Sequence, residues 1–154
     1  MSNSEIETRK HIQQVNEYMN IFVCELLKRA VSHDKTKLEE PEASIFETYT
    51  PLLKNSTYGS EEYKQFLSDM KVALDHHYSH NSHHPEHYKE QIKGMNLFDI
   101  VEMFCDWLAA TKRHADGDIH RSIEINRKRF KMDDQIVEIL KNTVETLENI
   151  EKKI

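Results

Sequence analysis

The residues of this sequence best suited to chemistry are histidines and carboxylates that follow one another in the order of a metal site. His33 and Asp34 are adjacent, so an imidazole and a carboxylate project from one point of the backbone. His11 precedes this pair, a group of six histidines follows it, and Asp106 comes later. Divalent transition metals bind such mixtures of nitrogen and oxygen ligands. The order therefore makes a metal enzyme the first hypothesis.

Two further residues belong to this first hypothesis. Lys37 follows Asp34 by three positions, close to one helical turn, so its ammonium group is expected to reach the same cavity. His11 is expected on the side of the first helix that carries Val15 and Phe22, which would point its imidazole inward as a ligand. The alternative for His11 is a partly buried structural histidine.

The group of six histidines lies between positions 76 and 87. His77 continues the apolar stripe of its helix, so we expect it to project toward the core. Neutral imidazoles are common ligands for transition metals, but six cannot all bind, and we expect His76 and His87 to be bystanders. The alternative is a solvated polar loop that is rich in histidine. The candidate ligands in this group are His77, His80, His83 and His84.

An acidic stripe is predicted on a later helix. Asp99, Glu102 and Asp106 are spaced to share one helix face, while the rest of that helix is almost entirely apolar. A helix so apolar is expected at the centre of the fold, with its acidic stripe facing a polar internal cavity. The alternative is that the stripe faces solvent, which is as plausible for Asp99 as the cavity. In the metal hypothesis Asp106 is a ligand, and Glu102 and Asp34 take part in catalysis.

Overall composition limits the other classes of function. The 154 residues are enough for one domain, and the formal net charge of −6 argues against general nucleic-acid binding, which needs a basic face. No apolar run is long enough to span a membrane, and the polar N-terminus has no signal-peptide character. Cys24 and Cys105 lie far apart in apolar helical stretches and are expected to be buried, reduced thiols. We therefore expect a soluble cytoplasmic protein.

The elements that must position these residues are predicted to be helices. Only three glycines and three prolines interrupt the periodic segments, and no strand pattern is present, so the fold class is all-α. Ser60 and Asn96 are predicted caps, and Pro85 and Gly94 bound a short piece. Pro51 and Gly59 are expected to bracket a loop around Asn55. The predicted helices span about 4–31, a short segment after Pro41, 60–77, 97–114, 118–130 and 133–154.

The quoted residues resemble the signature of a known superfamily. The order His11, His33-Asp34, Asp106 is similar to that of the HD-domain metal-dependent phosphohydrolases. The run from His33 to Lys37 resembles the form found in the HD-GYP branch, and His83-His84 resembles its paired histidines. The GYP tripeptide itself is absent, which argues against specificity for cyclic dinucleotides. The segments 33–37, 80–88 and 99–107 also resemble an uncharacterised phage and bacterial family of small HD-like proteins.

This resemblance implies a single domain, residues 1–154, folded as an HD-type helical bundle with a metal site between helices. It implies His11, His33, Asp34 and Asp106 as ligands of one ion, Asp34 as a bridge to a second ion held by the histidine group, and Lys37 near a substrate phosphate. The cofactor would be one or two divalent ions of Mn, Fe, Ni, Co or Zn. The implied activity is hydrolysis of a phosphoester, in a nucleotide or a similar molecule, by a metal-activated water.

Other possibilities remain open at the level of sequence. Arg113 and Arg121 are candidates for phosphate contacts, although ordinary surface arginines are an equally good interpretation. A di-iron oxygenase is one alternative function, and a non-catalytic metal-containing protein that binds a partner, such as a factor in phage–host interaction, is another. The amphipathic C-terminal helix is expected to be core, with a homodimer interface as the alternative.

Overall fold

The fold consists of α-helices joined by short turns. The computed structural model describes residues 2–57, 60–113 and 117–153, and no β-strand occurs within these ranges. Three short 3₁₀ turns, at Lys35–Leu38, Pro85–His87 and Gln91–Gly94, complete the described elements. The all-α prediction is confirmed. The helices are α1 (Asn3–Ser32), α2 (Glu42–Asn55), α3 (Glu61–Asp69), α4 (Lys71–His80), α5 (Leu97–Thr111), α6 (Ile119–Phe130) and α7 (Asp134–Glu151).

The helix starts follow from side chains that satisfy the free backbone N–H groups of each first turn. The Ser60 hydroxyl accepts a hydrogen bond from the backbone N–H of Tyr63, as predicted. Asn96 and Asp99 form a reciprocal capping box at the start of α5. The sequence alone thus places these helix starts correctly, because capping is a local interaction.

Three predicted boundaries differ from the structure. α2 continues through Pro51 to Asn55, so no loop begins at Pro51, although the ring removes one backbone donor from that helix. The helix predicted over 60–77 is two helices, which meet at Met70 with its backbone turned to φ −80° and ψ 4°. α5 ends at Thr111. The predicted features at Gly59, His114 and Ile154 lie outside the described residues.

The main hydrophobic core joins the last three helices. Its buried members come from α5, α6, α7 and the short link between α6 and α7. The stripe predicted on the C-terminal helix therefore belongs largely to the core, with Leu140 and Val144 buried. The buried core residues are Phe104, Ile123, Phe130, Met132, Val137, Leu140 and Val144.

The other helices place the candidate site beside this core. α2 packs on α3 and α4, and the 3₁₀ turn Lys35–Leu38 packs on both α2 and α4. α1 packs on α5 near its C-terminal end, and the two helices run in the same direction, since Phe22 contacts Phe98 and Arg29 contacts Glu102 further along. The end of α1, the turn after it, α4 and α5 therefore meet at one place.

Two expectations about burial are wrong. Cys24 and Cys105 are free, as expected, but both are exposed and not buried. α1, which is described over its whole length, contains no buried residue despite its apolar stripe. Periodicity identifies an apolar face, but it does not say whether the same chain covers that face. In the part of the chain that the structure describes, no helix is both long and apolar enough to cross a membrane.

Two isoleucines that differ in burial should differ greatly in their contribution to stability. Ile123 is 0% exposed, whereas Ile139 on α7 is 59% exposed. Ile123→Ala should lower the free energy of unfolding by about 2–5 kcal/mol, because it removes buried methyl groups and leaves a cavity. Ile139→Ala, the matched control, should change it by less than about 0.5 kcal/mol. Urea denaturation measures both, and equal effects would contradict this placement of the core.

Candidate metal centre

Seven histidines and carboxylates converge where α1, α4 and α5 meet. They form three groups that share members. Within each group, one side-chain nitrogen or oxygen atom per residue lies within 4.8 Å of the others. The first group is Asp34, His77, His83 and His84; the second is His33, Asp34 and Asp106; the third is His33, His83 and Glu102. Residues more than 70 positions apart in the sequence thus form one cluster.

The backbone at Asp34 explains how adjacent residues serve the same cluster. α1 ends at Ser32, and Asp34 takes the left-handed conformation with φ 56° and ψ 16°. Aspartate tolerates this conformation better than most residues, because its short polar side chain makes local hydrogen bonds. The chain therefore turns sharply between α1 and the following 3₁₀ turn, with both His33 and Asp34 directed into the cluster.

The two oxygens of Asp34 face different sets of partners. Oδ1 lies 3.2 Å from Nε2 of His77 and 3.4 Å from Nε2 of His83. Oδ2 lies 2.5 Å from Nζ of Lys37 and 3.5 Å from Nε2 of His33. Asp34 thus stands between the first and second groups, with one oxygen available to each.

Glu102 fixes the orientation of two imidazoles. Its Oε1 lies 2.9 Å from Nδ1 of His33 and 3.2 Å from Nδ1 of His83. Burial alone would raise the pKa of Glu102, but hydrogen bonds from His33, His83 and Arg29 lower it below its usual value. An ionised carboxylate only accepts hydrogen bonds, so both Nδ1 atoms carry protons. The Nε2 atoms of the two rings are therefore left to face the cluster.

Glu42 fixes the orientation of the His77 imidazole in the same way. This glutamate is 0% exposed, and its Oε2 lies 2.9 Å from Nδ1 of His77. The same oxygen accepts the hydroxyl of Thr36 at 3.1 Å, and Oε1 lies 2.7 Å from Nδ1 of His76. A carboxylate behind an imidazole is the usual support of a metal-binding histidine, since it fixes which ring nitrogen is free.

Two buried atoms of the cluster have no hydrogen-bond partner. Oδ1 of Asp34 and Nε2 of His83 lie 3.4 Å apart, and neither forms a hydrogen bond. Nε2 of His84 lies 2.9 Å from Nε2 of His77 and points to the same place. An unsatisfied buried polar atom is unfavourable by about 1–3 kcal/mol, and a cation held between these two atoms would remove that cost. The donor set of three imidazoles and a carboxylate fits a divalent transition metal.

The imidazoles of the metal-free cluster differ in their protonation. Hydrogen bonds to Asp106 and Glu102 raise the pKa of His33 to about 10. Burial, with His83 and His77 nearby, lowers the pKa of His84 to about 3, so its imidazole is neutral and able to coordinate at pH 7. Burial opposes ionisation of Asp34, but His77, His83 and Lys37 lower its pKa further than burial raises it. Protonated His33 and Lys37 thus supply positive charge to a strongly acidic pocket.

A network of hydrogen bonds that includes Arg29 and Asp99 holds Glu102 in place. Nη1 of Arg29 donates to Oε2 of Glu102 at 3.2 Å and to Oδ1 of Asp99 at 2.8 Å. Asp99 is fully buried and also accepts hydrogen bonds from the hydroxyls of Ser82 and Tyr88. The acidic stripe of α5 is therefore fully buried at Asp99, whereas Glu102 and Asp106 remain partly exposed. Asp99 anchors the segment that carries the histidines and does not itself reach the cluster.

The structure brings most of the predicted site residues together. His33, Asp34 and Asp106 belong to the cluster, and Lys37 contacts it through Asp34. Glu102, predicted to be catalytic, lies behind the imidazoles as their hydrogen-bond acceptor. Of the histidine group, the members in the cluster are His77, His83 and His84.

Four predicted site residues lie elsewhere. His11 is exposed and lies 22 residues before His33 on the same helix, about 33 Å away at 1.5 Å per residue. The expected inward orientation of His11 is therefore wrong. His80 is exposed, with its Nδ1 2.8 Å from the carbonyl oxygen of His76. Arg113 and Arg121 are both exposed, and neither contacts the cluster in the ranges that the structure describes.

Two supporting residues were missed by the sequence analysis. Glu42 looks like an ordinary acidic residue in the first turn of a helix, and no local pattern distinguishes it. Arg29 lies one helical turn before His33, so the spacing alone would have placed it on the same face of α1. Both act on residues distant in sequence, which is why composition and periodicity did not reveal them.

Comparison with known proteins identifies a family whose function is unknown. A family model described as a family of unknown function (DUF5662) matches residues 1–153. No curated protein and no solved structure matches the chain.

The support given by Glu42 leads to a prediction about metal affinity. Glu42→Gln keeps the shape of the side chain but removes the charge that orients His77, so zinc or manganese affinity should fall about 10–100-fold. Glu39→Gln, at an exposed position nearby, is the matched control and should bind like the wild type. Competition with a chromophoric chelator measures both affinities. Unchanged affinity in a folded Glu42→Gln protein would contradict the supporting role assigned to the charge of Glu42.

Proposed function

Because the chain belongs to this family of unknown function, we propose its activity from the site itself: a metal-dependent phosphohydrolase with two adjacent metal positions. The observation that carries the proposal is the divided role of Asp34. One oxygen faces His77 and His83, and the other faces His33. A carboxylate placed in this way would offer one oxygen to each of two adjacent ions, and pairs of metal ions serve many enzymes that hydrolyse phosphate esters.

The first position would be held by three imidazoles and one carboxylate oxygen. Its donors are His77, His83, His84 and Oδ1 of Asp34. Glu42 and Glu102 fix the Nδ1 protons of His77 and His83, so their Nε2 lone pairs point to this position without rearrangement. Neutral His84 adds the third nitrogen.

The second position would be held by His33, Asp106 and Oδ2 of Asp34. Nε2 of His33 lies 3.5 Å from Oδ2 of Asp34 and 3.7 Å from Oδ1 of Asp106. His33 must lose its Nε2 proton to bind, and Lys37 must move off Oδ2. With only three protein donors, this position leaves room for water and for a substrate oxygen.

Bound divalent cations would supply Lewis acidity, which activates a water and withdraws charge from phosphoryl oxygens. The remaining roles belong to side chains of this chain. Asp34, His33 and Asp106 are 17–28% exposed, so this side of the cluster is open to solvent and to a substrate. Released from Oδ2, the ammonium group of Lys37 lies beside the second position, where it can donate to a phosphoryl oxygen.

A phosphorylated small molecule, such as a nucleotide, is the substrate class that this proposal implies. The acidic pocket would repel a phosphate in the metal-free protein, so binding of substrate would require the cations first. Arg113 and Arg121 are not part of the proposed phosphate site, because both are exposed and neither forms an ion pair with a cluster residue in the described ranges.

The metal content of variants tests the two positions separately. The wild type should hold two transition-metal ions per chain after reconstitution with Mn, Fe, Co, Ni or Zn. His84→Gln should lose the first ion, Asp106→Asn should lose the second, and Asp34→Asn should lose both. Asp75→Asn, which changes an exposed carboxylate on α4, is the matched control and should keep two. Elemental analysis of gel-filtered protein gives the ratios.

Activity should follow the metal content. Wild type and Asp75→Asn should hydrolyse p-nitrophenyl phosphate or bis(p-nitrophenyl) phosphate, and Asp34→Asn should lose the activity by at least about 10²-fold. A protein that binds two ions but hydrolyses neither ester nor any nucleotide would contradict the proposal. Activity that survives Asp34→Asn would contradict it as well.

Lys37 should affect catalysis without affecting metal content. Lys37→Met keeps much of the aliphatic length that packs against Phe46 but removes the charge, which lies 5.2 Å from the ring centroid. We expect two bound ions and a fall in kcat of about 10²-fold, because one donor to the developing charge is lost. Lys35→Met, two residues away on the same turn, is the control. Unchanged kcat in Lys37→Met would remove Lys37 from the mechanism.

A further inference from the structure

Two histidines of α4 lie outside the cluster and form a pair at the protein surface. His76 and His80 are four residues apart, about one helical turn, so their side chains leave the same face of α4. The two imidazole rings are stacked, with centroids 4.0 Å apart and an angle of 23° between the ring planes. The side chain of His76 is 31% exposed, and His80 is exposed at the end of the helix. Both rings are therefore accessible from solvent.

A hydrogen bond to Glu42 determines which nitrogen of His76 is free. Nδ1 of His76 lies 2.7 Å from Oε1 of Glu42, whose other oxygen supports His77. An ionised carboxylate only accepts hydrogen bonds, so Nδ1 of the neutral His76 ring carries the proton and Nε2 carries the lone pair. A carboxylate in this position is the usual support of a metal-binding imidazole. Glu42 thus supports one imidazole of the buried cluster and one imidazole at the surface.

His80 has the same free nitrogen for a different reason. Its Nδ1 lies 2.8 Å from the backbone carbonyl oxygen of His76, and a carbonyl oxygen only accepts hydrogen bonds. The hydroxyl of Ser79 donates to the same carbonyl oxygen at 2.7 Å, and its oxygen lies 2.9 Å from Nδ1 of His80. The lone pair of the neutral His80 ring is therefore on Nε2. Among the described residues, neither Nε2 atom of this pair has a hydrogen-bond partner.

The position of the pair on α4 favours a cation. The last turn of a helix presents carbonyl oxygens without intrahelical partners and carries a partial negative charge, which attracts positive charge. His80 is the last residue of α4, and His76 lies one turn before it. An ion bound by both rings would therefore lie beside the negative end of the helix dipole.

The donor atoms indicate the class of ion. Two histidines four residues apart on one helix face hold zinc in the helical sites of many metalloproteases. Imidazole suits copper, nickel and zinc, and the affinity for divalent ions increases up to copper. A tetrahedral zinc ion with Zn–N bonds of about 2.0–2.1 Å needs two nitrogens about 3.3 Å apart. Rings that are already stacked 4.0 Å apart need only small rotations to bring their Nε2 atoms to this separation.

We propose that Nε2 of His76 and Nε2 of His80 together bind one Cu²⁺, Ni²⁺ or Zn²⁺ ion at the surface of α4. With two protein donors, the ion keeps its other coordination positions for water or for a ligand from solution. It exchanges with solvent and is lost on gel filtration, so it is not one of the two ions expected in gel-filtered protein. The proposal does not depend on the phosphohydrolase activity, since neither histidine belongs to the cluster.

Metal binding to a variant without the cluster ions tests the pair. Equilibrium dialysis of Asp34→Asn against Ni²⁺ or Cu²⁺, in a buffer that does not chelate, should give one ion per chain. Adding His80→Gln should weaken this binding by at least about 10-fold, because loss of a ligand costs no less than loss of a residue that supports a ligand. Adding His87→Gln, which removes another exposed histidine, is the matched control and should leave the affinity unchanged.

Electron paramagnetic resonance of the bound Cu²⁺ identifies the donor atoms. The copper signal of Asp34→Asn should show coupling to two nitrogens, and this coupling should be lost when His80→Gln is added. Circular dichroism of each variant verifies that the helices are intact, so that a loss of binding is assigned to the missing ligand.

Three results would overturn the proposal. Unchanged affinity after His80→Gln is added would show that the two rings stack without binding an ion together. An equal loss of affinity from His80→Gln and from His87→Gln would assign the ion to scattered surface histidines. A copper signal with coupling to a single nitrogen in Asp34→Asn would exclude binding by both rings.

Discussion

The candidate site depends on the hydrogen bonds that Glu102 accepts. One oxygen receives the Nδ1 protons of His33 and His83, and the other receives Arg29. These bonds decide which nitrogen of each imidazole faces the cluster, and they tie the end of α1 and the segment before Pro85 to α5. Without an ionised carboxylate at this point, both rings would be free to rotate or to exchange tautomers, and the shared position beside Asp34 would not be preorganised.

Glu42 has the same role on the opposite side of the cluster, which explains why a fully buried glutamate is tolerated. A buried charge is stable only when several hydrogen bonds surround it, and Glu42 faces His76, His77 and Thr36. The two glutamates come from helices that do not otherwise share a core, α2 and α5. The histidines between them therefore join the α2–α4 side of the fold to the α5–α7 side through polar contacts. Hydrophobic packing alone would not fix the positions of these side chains.

The two ends of α1 have different surroundings. Its last turn carries Arg29 into the site and leads directly into His33 and Asp34, whereas its first twenty or so residues are exposed. The same face of the helix continues from one region to the other, from Ile12 through Phe22 to Arg29.

Much of the fold follows from local signals in the sequence. Helix starts at Ser60 and Asn96 were predicted correctly because a capping side chain bonds to the backbone two or three residues away. The break at Met70 and the continuation of α2 through Pro51 were not, since neighbouring packing decides both. For the site, residue type and order were enough to select His33, Asp34, His77, His83, His84 and Asp106 as candidates.

Residue types and their spacing are enough to identify the side chains that could bind a metal and the apolar faces of the helices. Which of these side chains meet depends on how the helices pack, and the sequence pattern does not give that packing. The tertiary structure excluded His11, which lies on the correct helix but about 33 Å from the cluster. It included Glu42, which has no distinguishing local pattern, and it showed that Arg29 binds Asp99 and Glu102, which are distant in the sequence. It also showed that the stripe on α1 is left uncovered, since periodicity reports that a face is apolar and never what it packs against.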